Sequence, residues 1–426
     1  MPVLCIFAPE PLLPAPRRRR DRRAAAAYTV FFLSLLSTGM ACNSAVKCTS
    51  DASCPAGASC SADYGVCFER LTFTRDLVAG DSHTCAGTTA GGVKCWGANG
   101  DGRLGDGTVQ DRPVPTPVSD QNGELLHVKL AAAGSYHSCA LIEDGRVQCW
   151  GWNQSGQVSG LPTAGNVTRP ATVLAFSGLT ALGLGQAHSC ALTAARWVKC
   201  WGDNSQGQVG PWAVSADPPL LTTAGNFVAL ASGNAHACAI TQDKRLFCWG
   251  SNTDGQANWR VTDRKPAPST DLGLAGVESV AAGQSHTCVV TSDQNVLCWG
   301  ANDKGQLGRV TGADPTSKPS LAGARSVAAG CNHTCALKMD GTVSCWGSNA
   351  FGELGTGSTF DGPTTTPGQV SQLAGVEAIA AGCRHTCAYV KGGAVWCWGD
   401  GTRGQLGDGA RQSRSTPGVV EFSQGG

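Results

Sequence analysis

Short stretches in which apolar and polar residues alternate recur along most of the chain, and this period of two predicts β-strands rather than helices. One example alternates over residues 333–337, continues through the dipeptide Asp340-Gly341, and alternates again over residues 343–345. Two such segments around a glycine-containing turn are typical of a β-hairpin. The sequence therefore predicts an all-β fold of many short strands.

The hairpin belongs to a repeat that occurs seven times. In each copy, His-x-Cys is followed by Cys-Trp-Gly after nine residues, with the first cysteines at Cys85, Cys139, Cys190, Cys238, Cys288, Cys335 and Cys387. These cysteines are 54, 51, 48, 50, 47 and 52 residues apart, a spacing that fits one four-stranded propeller blade per copy. An open solenoid is the alternative, but its terminal repeats should be atypical, and here the first and last copies are regular. We expect a closed seven-bladed β-propeller over residues 71–426.

The two cysteines of each copy are placed symmetrically about the turn. They should face each other across the hairpin, where Cβ atoms are about 4.5 to 5.5 Å apart, close to disulfide geometry. Each bridge closes a short loop and should contribute at most about 3 kcal/mol of stability. The predicted pairs are Cys85 with Cys95, Cys139 with Cys149, Cys190 with Cys200, Cys238 with Cys248, Cys288 with Cys298, Cys335 with Cys345, and Cys387 with Cys397.

The cysteine content also predicts the compartment. Twenty-two cysteines in regular positions are improbable in a reducing cytosol and indicate an exported protein. The N-terminus agrees, because a basic stretch at residues 17–23 precedes an apolar run at residues 24–36 that is too short to span a bilayer. We expect residues 1–41 to be a signal peptide.

Cys42 follows Gly39-Met40-Ala41, which has two interpretations. The segment resembles a bacterial lipoprotein signal, in which Cys42 is lipidated, although Gly39 stands where that signal usually has leucine. Ordinary signal cleavage after Ala41 is the alternative. Lipidation is favoured because it uses Cys42 and leaves an even number of cysteines after it, all of which can then pair in disulfides.

Net charge excludes one class of partner. Six of the 32 basic residues and two of the 31 acidic residues precede Cys42, so the remainder carries a formal charge of −3. A nucleic-acid-binding protein needs a concentrated basic patch. We expect neither nucleic-acid binding nor a membrane contact other than through a lipid anchor.

Residues 42–70 form a Cys-rich segment with too little apolar material for a core. Cys48, Cys54, Cys60 and Cys67 predict two disulfides in a compact stalk. Zinc is the alternative, but the paired C-x2-C spacing of structural zinc sites is absent.

Two further cysteines, Cys331 and Cys383, each lie four residues before the first cysteine of their own copy. Equivalent points on neighbouring blades come close only near the propeller axis. We therefore predict a bridge between blades 6 and 7 at the mouth of the central channel.

Each copy also carries an identically placed histidine and tryptophan. The tryptophan follows the second cysteine, points to the opposite sheet face and can fill the gap between blades. Seven histidines could form a metal ring, but a residue that every copy requires more simply makes a hydrogen bond that every blade needs. No metal or cofactor site is predicted.

The pattern AAGxxHTCAL...DGxVxCWGxNxxGQLG closely resembles the regulator of chromosome condensation repeat family, which includes bacterial tubulin-suppressor-like proteins. The resemblance covers residues 71–426 and implies a seven-bladed propeller. Functions in that family diverge, from guanine-nucleotide exchange on a small GTPase to inhibition of secreted β-lactamases, so the resemblance does not transfer a function. The cysteine pair in every copy departs from the nuclear members and is similar to exported relatives.

No nucleophile, paired carboxylate or phosphate-binding loop stands apart from the repeat, so we expect a monomeric binding scaffold and not an enzyme. Binding should use loops where the copies differ. Residues of types common at interface hot spots lie in or beside these loops, namely Trp152, Trp212, Trp259 and Arg260. A protein partner is favoured over an envelope glycan, and a hydrolase or lyase site at the channel mouth is the least favoured alternative.

Overall fold

The computed structural model describes residues 58–61, 66–69, 73–163, 165–173, 178–210, 225–261, 271–309, 315–316 and 320–420. The predicted signal peptide, Cys42, Cys48, Cys54 and Trp212 lie outside these residues. The chain divides into two units, Met1–Arg70 and Leu71–Gly426. No helix long and apolar enough to cross a membrane occurs in the described part of the chain.

The first unit contains one described hairpin. Strands β1 (Ala58–Ser61) and β2 (Val66–Glu69) pair antiparallel, with Cys60 opposite Cys67 in the backbone register.

The second unit contains seven consecutive antiparallel sheets, one per sequence repeat. Blade 1 comprises β3 (Phe73–Ala79), β4 (His83–Thr88), β5 (Val93–Gly97) and β6 (Arg112–Pro117), and a two-stranded hairpin of β7 (Ser119–Asp120) and β8 (Gly123–Glu124) follows it. Blade 2 comprises β9 (Val128–Ala133), β10 (His137–Ile142), β11 (Val147–Gly151) and β12 (Val167–Thr172), and blade 3 comprises β13 (Leu179–Leu184), β14 (His188–Thr193) and β15 (Val198–Gly202).

Blades 4 and 5 repeat the three inner strands, as β16 (Phe227–Ser232), β17 (His236–Thr241), β18 (Leu246–Gly250), and β19 (Val277–Ala282), β20 (His286–Thr291), β21 (Val296–Gly300). Blade 6 comprises β22 (Ala324–Ala329), β23 (His333–Lys338), β24 (Val343–Asn349) and β25 (Phe360–Gln369), and blade 7 comprises β26 (Val376–Ala381), β27 (His385–Val390), β28 (Ala394–Gly399) and β29 (Arg414–Val419).

The predicted seven-bladed propeller is thus confirmed, with one difference in its outer strands. Blades 1, 2, 6 and 7 have four strands, whereas the described residues of blades 3, 4 and 5 form three. In blades 4 and 5, single antiparallel bridges, Phe247 to Asp271 and Val296 to Leu321, stand where a fourth strand would pair. The innermost strand, which lines the channel, is present in all seven blades.

The predicted hairpin disulfides are also confirmed. In every blade the two cysteines are opposite each other on the second and third strands, as Cys85 is to Cys95 in blade 1. Their S–S distances lie between 2.01 and 2.10 Å and all fourteen side chains are buried.

A hydrogen-bond relay joins neighbouring blades at six of the seven boundaries. At the closure of the ring, His385 of blade 7 lies 2.8 Å from the hydroxyl of Thr84 in blade 1 through its Nε2. The Thr84 hydroxyl donates to the carbonyl of Gln405 at 3.1 Å, and Trp96 Nε1–H donates to the same carbonyl at 3.0 Å. Because the hydroxyl donates its proton to the carbonyl, it must accept one from His385 Nε2–H.

The same relay recurs at five other blade boundaries. The histidine and hydroxyl pairs are His83 with Ser138, His137 with Ser189, His236 with Thr287, His286 with Thr334, and His333 with Thr386, at 2.8 to 2.9 Å. Every tryptophan of the repeat is buried and donates to a loop carbonyl of the preceding blade. The chain therefore uses its repeated histidine and tryptophan to hold blades together.

The boundary between blades 3 and 4 lacks one member of the relay. Ala237 stands where the other blades have serine or threonine, and His188, which is fully buried, has no hydrogen-bond partner for Nε2 among the described residues. The carbonyl of Gln208 still accepts the Trp249 N–H at 2.9 Å. One buried donor is therefore left unsatisfied at this boundary, and such a group destabilises the folded state.

We expect Ala237→Ser to increase the free energy of unfolding by about 1 kcal/mol, because the new hydroxyl can accept from His188 and donate to Gln208. Denaturant titration at neutral pH without reductant measures the change. Ser189→Ala is the matched control, because it removes the hydroxyl facing His137 and should cost about 1 to 3 kcal/mol. If Ala237→Ser proved neutral while Ser189→Ala was costly, the relay would not explain the stability of this boundary.

Candidate functional site: the mouth of the central channel

All seven blades contribute to one cavity on the axis of the propeller. It has a volume of about 320 Å³ and is lined by the end of each innermost strand and the short turn that follows. One glycine per blade, such as Gly80 and Gly134, lies in this lining. Each histidine starts its strand opposite the glycine of Cys-Trp-Gly on the next strand, as His83 is opposite Gly97. The turns at the mouth and the loops after Cys-Trp-Gly therefore share one side of the ring, which we call the loop face.

Polar side chains from successive blades surround the mouth. One residue follows the glycine of each blade, in the order Asp81, Ser135, Gln186, Asn234, Gln284, Cys331 and Cys383. Within the described part of the chain, the amides of Gln186, Asn234 and Gln284 have no side-chain hydrogen bond, and all three are at least partly exposed. A ligand at the mouth thus meets amide donors and acceptors from blades 3, 4 and 5.

Beside the amides, an aromatic cluster of Trp152, Tyr136 and Arg103 joins blades 1 and 2. The rings of Trp152 and Tyr136 meet edge to face, with centroids 5.8 Å apart, and both side chains are half-buried. The Arg103 guanidinium lies 4.9 Å from the centre of the Tyr136 ring and donates to the carbonyl of Ser135 at 2.9 Å. An ion pair with Asp101 also fixes Arg103, whose side chain is 8% exposed. The cluster presents preformed aromatic surface at the rim of the channel.

On the other side of the aromatic cluster from the amides, blades 1, 6 and 7 bring Asp81, Arg384 and a disulfide to the mouth. Cys331 and Cys383 are bridged, with an S–S distance of 2.06 Å, and both line the cavity. The Asp81 carboxyl is 3.6 Å from the Cys331 sulfur, and burial raises its pKa while Arg103 and Arg384 oppose the rise. Arg384 is exposed, and its guanidinium lies 4.8 Å from the Phe351 ring.

The seven histidines are not part of an accessible site. All are fully buried, and burial lowers their pKa values, to about 3 for His137, His236, His286 and His385, to about 4 for His188 and His333, and well below the ordinary range for His83. They are neutral near pH 7, and their Nε2 atoms face neighbouring blades. Their arrangement can bind blades together but cannot exchange protons with a ligand in the channel.

The structure separates the candidate binding residues that the sequence indicates. Trp152 lies in the aromatic cluster on blade 2, whereas Trp259 follows the third strand of blade 4 and packs on Trp299 with ring centroids 4.8 Å apart. Arg260 is exposed, with its guanidinium 5.2 Å from the Trp259 ring. Because blade 3 lies between them, Trp152 and Trp259 do not form one patch.

Sequence reasoning missed Tyr136, Arg103 and Arg384, although departures from the repeat mark them. Tyr136 is the single aromatic residue among the seven that directly precede the repeated histidines. Arg103 occupies the position that is glutamine in five of the other copies. Comparison of equivalent positions, rather than a search for residue types in variable loops, finds the aromatic cluster.

The comparisons with known proteins agree with this architecture. A profile of the RCC1-like domain matches residues 211–425. Profiles of the regulator of chromosome condensation (RCC1) repeat match residues 75–103, 128–157 and 180–208, and, overlapping these, residues 90–141.

Individual relatives match over shorter stretches. The chain is 32% identical over 138 residues to the ultraviolet-B receptor UVR8 of Arabidopsis thaliana, covering 32% of this chain and 31% of the receptor. It is 34% identical over 137 residues to the regulator of chromosome condensation of Drosophila melanogaster, covering 32% of this chain and 24% of that protein. The matched segments thus span less than a third of these curated relatives.

The solved structure of Prp20p from Saccharomyces cerevisiae is similar in fold, with a TM-score of 0.65 and 23% identity over 83% of this chain and 88% of that chain. Its description concerns binding of Prp20p to Gsp1p and histones. Because the RCC1-like profile alone covers half of the sequence and the repeat profiles continue through the preceding blades, the chain belongs to the regulator of chromosome condensation (RCC1) repeat family.

Proposed function

We propose that this protein is an exported binding scaffold that holds a protein partner on its loop face. The observation that carries the proposal is the aromatic cluster of Trp152, Tyr136 and Arg103 at the channel mouth. Tryptophan, tyrosine and arginine are the residue types most enriched at interface hot spots, and these three are held in place before a partner arrives. A preformed contact surface loses less conformational entropy on binding.

The mouth beside the cluster suits a projecting segment of a partner. A cavity of about 320 Å³ admits a few side chains, and the amides of Gln186, Asn234 and Gln284 can pair with a peptide backbone. Protein binding by Prp20p is consistent with this use of the fold, although its likeness extends to the fold alone. No chemistry is required of the site under this proposal.

Export is supported by the disulfides. Eight bridges lie in the described part of the propeller, and such a number is typical of an oxidising compartment. We also propose that a lipid on Cys42 anchors the chain, so that the propeller is held at the cell surface.

Site-specific photo-crosslinking tests the protein-partner proposal. We expect p-benzoylphenylalanine at position 152 of the full chain, expressed in the producing cell, to give an adduct that protease removes. Trp152→Ala should weaken binding of the captured protein by about thirtyfold or more, since truncation of a hot-spot residue costs at least about 2 kcal/mol. The loss is measured by comparing the affinity of the purified partner, identified from the adduct, for the immobilised wild type and for Trp152→Ala.

Position 339 is the matched control for crosslinking. Met339 is 57% exposed and lies in the turn between β23 and β24, at the other end of the blade from the loop face. It should give no adduct. Equal crosslinking at both positions, or none at 152, would exclude the loop face as the binding surface.

An envelope glycan is the second candidate, and the amides of Gln186, Asn234 and Gln284 favour it. Amide side chains paired with a planar ring are a common way to hold sugar hydroxyls, and Tyr136 supplies a ring beside Ser135 and Gln186. An adduct at position 152 that glycosidases remove and protease does not would select this function instead.

A further inference from the structure

One disulfide of the propeller differs from the rest in its surroundings. The fourteen cysteines of the hairpin bridges are at most 1% exposed. Cys331 and Cys383 are only partly buried and face the open cavity at the channel mouth. A reductant in solution can therefore reach this bridge while the folded protein shields the others.

The carboxyl group of Asp81 lies beside this disulfide. Within the described part of the chain, its one hydrogen-bond contact is the Cys331 sulfur at 3.6 Å. A sulfur in a disulfide carries no proton, so it cannot donate to the carboxylate. A thiol at the same place can donate, and a metal ion can bind both groups. The Asp81 backbone carbonyl accepts the Cys383 N–H at 3.2 Å, which keeps Asp81 beside the bridge.

The three side chains offer a suitable donor set. The two sulfurs and one carboxylate oxygen all lie within 4.8 Å of one another. Thiolate and carboxylate are both ligands of Zn²⁺, and three protein ligands leave one of its four tetrahedral positions open. We propose that reduction of the Cys331–Cys383 bridge creates a Zn²⁺ site with Cys331, Cys383 and Asp81 as ligands and the fourth position directed to the channel cavity.

The local charges complement this loaded site. Two thiolates and a carboxylate carry three negative charges, so the site with Zn²⁺ bears one negative charge in total. Arg103 and Arg384 are the cationic groups that act on Asp81. Their guanidinium groups stabilise thiolates and balance the remaining charge.

The reaction that opens the site balances with a water-soluble phosphine as reductant. Phosphine attack breaks the S–S bond, and water supplies the oxygen of the phosphine oxide and the two protons of the thiols. Zinc binding then releases both thiol protons to solvent. A phosphine has the further advantage that it contains no thiol to compete for Zn²⁺.

Differential alkylation followed by peptide mapping tests the first step. After brief phosphine treatment of the folded full chain, we expect alkylation at Cys331 and Cys383 and none at the fourteen hairpin cysteines. Equal labelling of hairpin cysteines, or no labelling at the mouth, would overturn selective reduction.

Titration with Zn²⁺ alone tests the second step on the reduced, unalkylated protein. The wild type should bind one more equivalent than Cys331→Ser/Cys383→Ser, a variant that also accounts for zinc bound by the N-terminal cysteines. Asp81→Asn keeps both thiols but removes the carboxylate ligand, so it should lower the Zn²⁺ affinity of this extra site by about tenfold or more. Even the loss of a group that only orients a metal ligand lowers metal affinity by about that factor. No extra equivalent in the wild type, or an unchanged affinity in Asp81→Asn, would overturn the three-ligand site.

Discussion

The free energy of unfolding is expected to fall steeply as the pH is lowered from about 6.5 toward 4. Six buried histidines have pKa values of about 3 or about 4, and burial lowers the pKa of His83 well below its ordinary value, whereas in the unfolded chain all seven protonate near pH 6.5. The unfolded state therefore binds more protons throughout this window, and each histidine removes about 1.4 kcal/mol of stability per pH unit. Seven of them acting together can remove about 10 kcal/mol per unit, which is comparable to the whole stability of an ordinary domain.

Two partly buried carboxyl groups, those of Asp76 and Asp81, oppose this trend because burial raises the pKa of both. Burial raises the pKa of Asp76 to about 6 from an ordinary value of 3.8, although a 2.7 Å hydrogen bond from the Ala131 N–H counteracts the rise. The folded state thus takes up a proton at Asp76 before the unfolded chain does, and this uptake stabilises the fold as the pH falls through 6. Asp81 acts in the same direction, and each of the two carboxyls offsets at most about one histidine of the seven, so the net direction is unchanged.

Denaturant titrations between pH 7 and pH 4, followed by tryptophan fluorescence without reductant, measure the slope. His286→Gln is the control variant, because glutamine keeps an N–H donor for Thr334 but does not titrate. Whatever its effect at neutral pH, it should reduce the slope by about 1.4 kcal/mol per pH unit. A flat profile between pH 6.5 and 4.5 in the wild type would contradict neutral burial of the histidines.

The architecture was predictable because each local signal in the repeat agrees with the others. Period-two alternation gives the strands, the Asp-Gly turn places Cys335 opposite Cys345, and seven regular copies require a closed arrangement. These features depend on neighbours in sequence or on the repeat itself. The single lost hydroxyl at Ala237 is also visible in the sequence, but its meaning requires the knowledge that the other repeated histidines form hydrogen bonds across the blade boundaries, whereas His188 has no such partner among the described residues.

The candidate site was less predictable because it combines different positions from different blades. The residue type alone indicates Trp152, yet the surroundings of Trp152 depend on Tyr136 from a turn in its own blade and on Arg103 from the preceding blade. Sequence spacing cannot measure distances between such loops when their lengths vary. The short turns at the axis are an exception, since their positions are fixed by the strands that they join.

A second large effect is expected from Gly382→Ala at the closure of the ring. A Cβ atom at this position would lie 2.4 Å from the backbone carbonyl oxygen of Gly80 in blade 1 and 2.2 Å from Cε1 of His385. The carbonyl belongs to a neighbouring blade and the histidine is fully buried, so neither can move without separating blades 7 and 1. We expect a loss of about 3 kcal/mol or more in the free energy of unfolding, at the upper end of overpacking effects.

Gly100→Ala is the matched control for this substitution. Gly100 is exposed and a Cβ atom there would meet nothing within 4 Å, so the free energy of unfolding of Gly100→Ala should change by no more than about 0.5 kcal/mol.

Native-state hydrogen exchange distinguishes the expected opening between blades 7 and 1 from general unfolding. Gly382→Ala should weaken protection first at the Cys383 N–H, which donates to the Asp81 carbonyl, and at the Phe73 N–H, which donates to the Gly393 carbonyl. Each blade is formed from a continuous stretch of chain, so no shared strand joins blade 7 to blade 1. Closure must then depend on contacts between the two blades, among them those of Gly382 with Gly80 and of His385 with Thr84, and unchanged protection at this seam in Gly382→Ala would show that the close approach at Gly382 is not needed to close the ring.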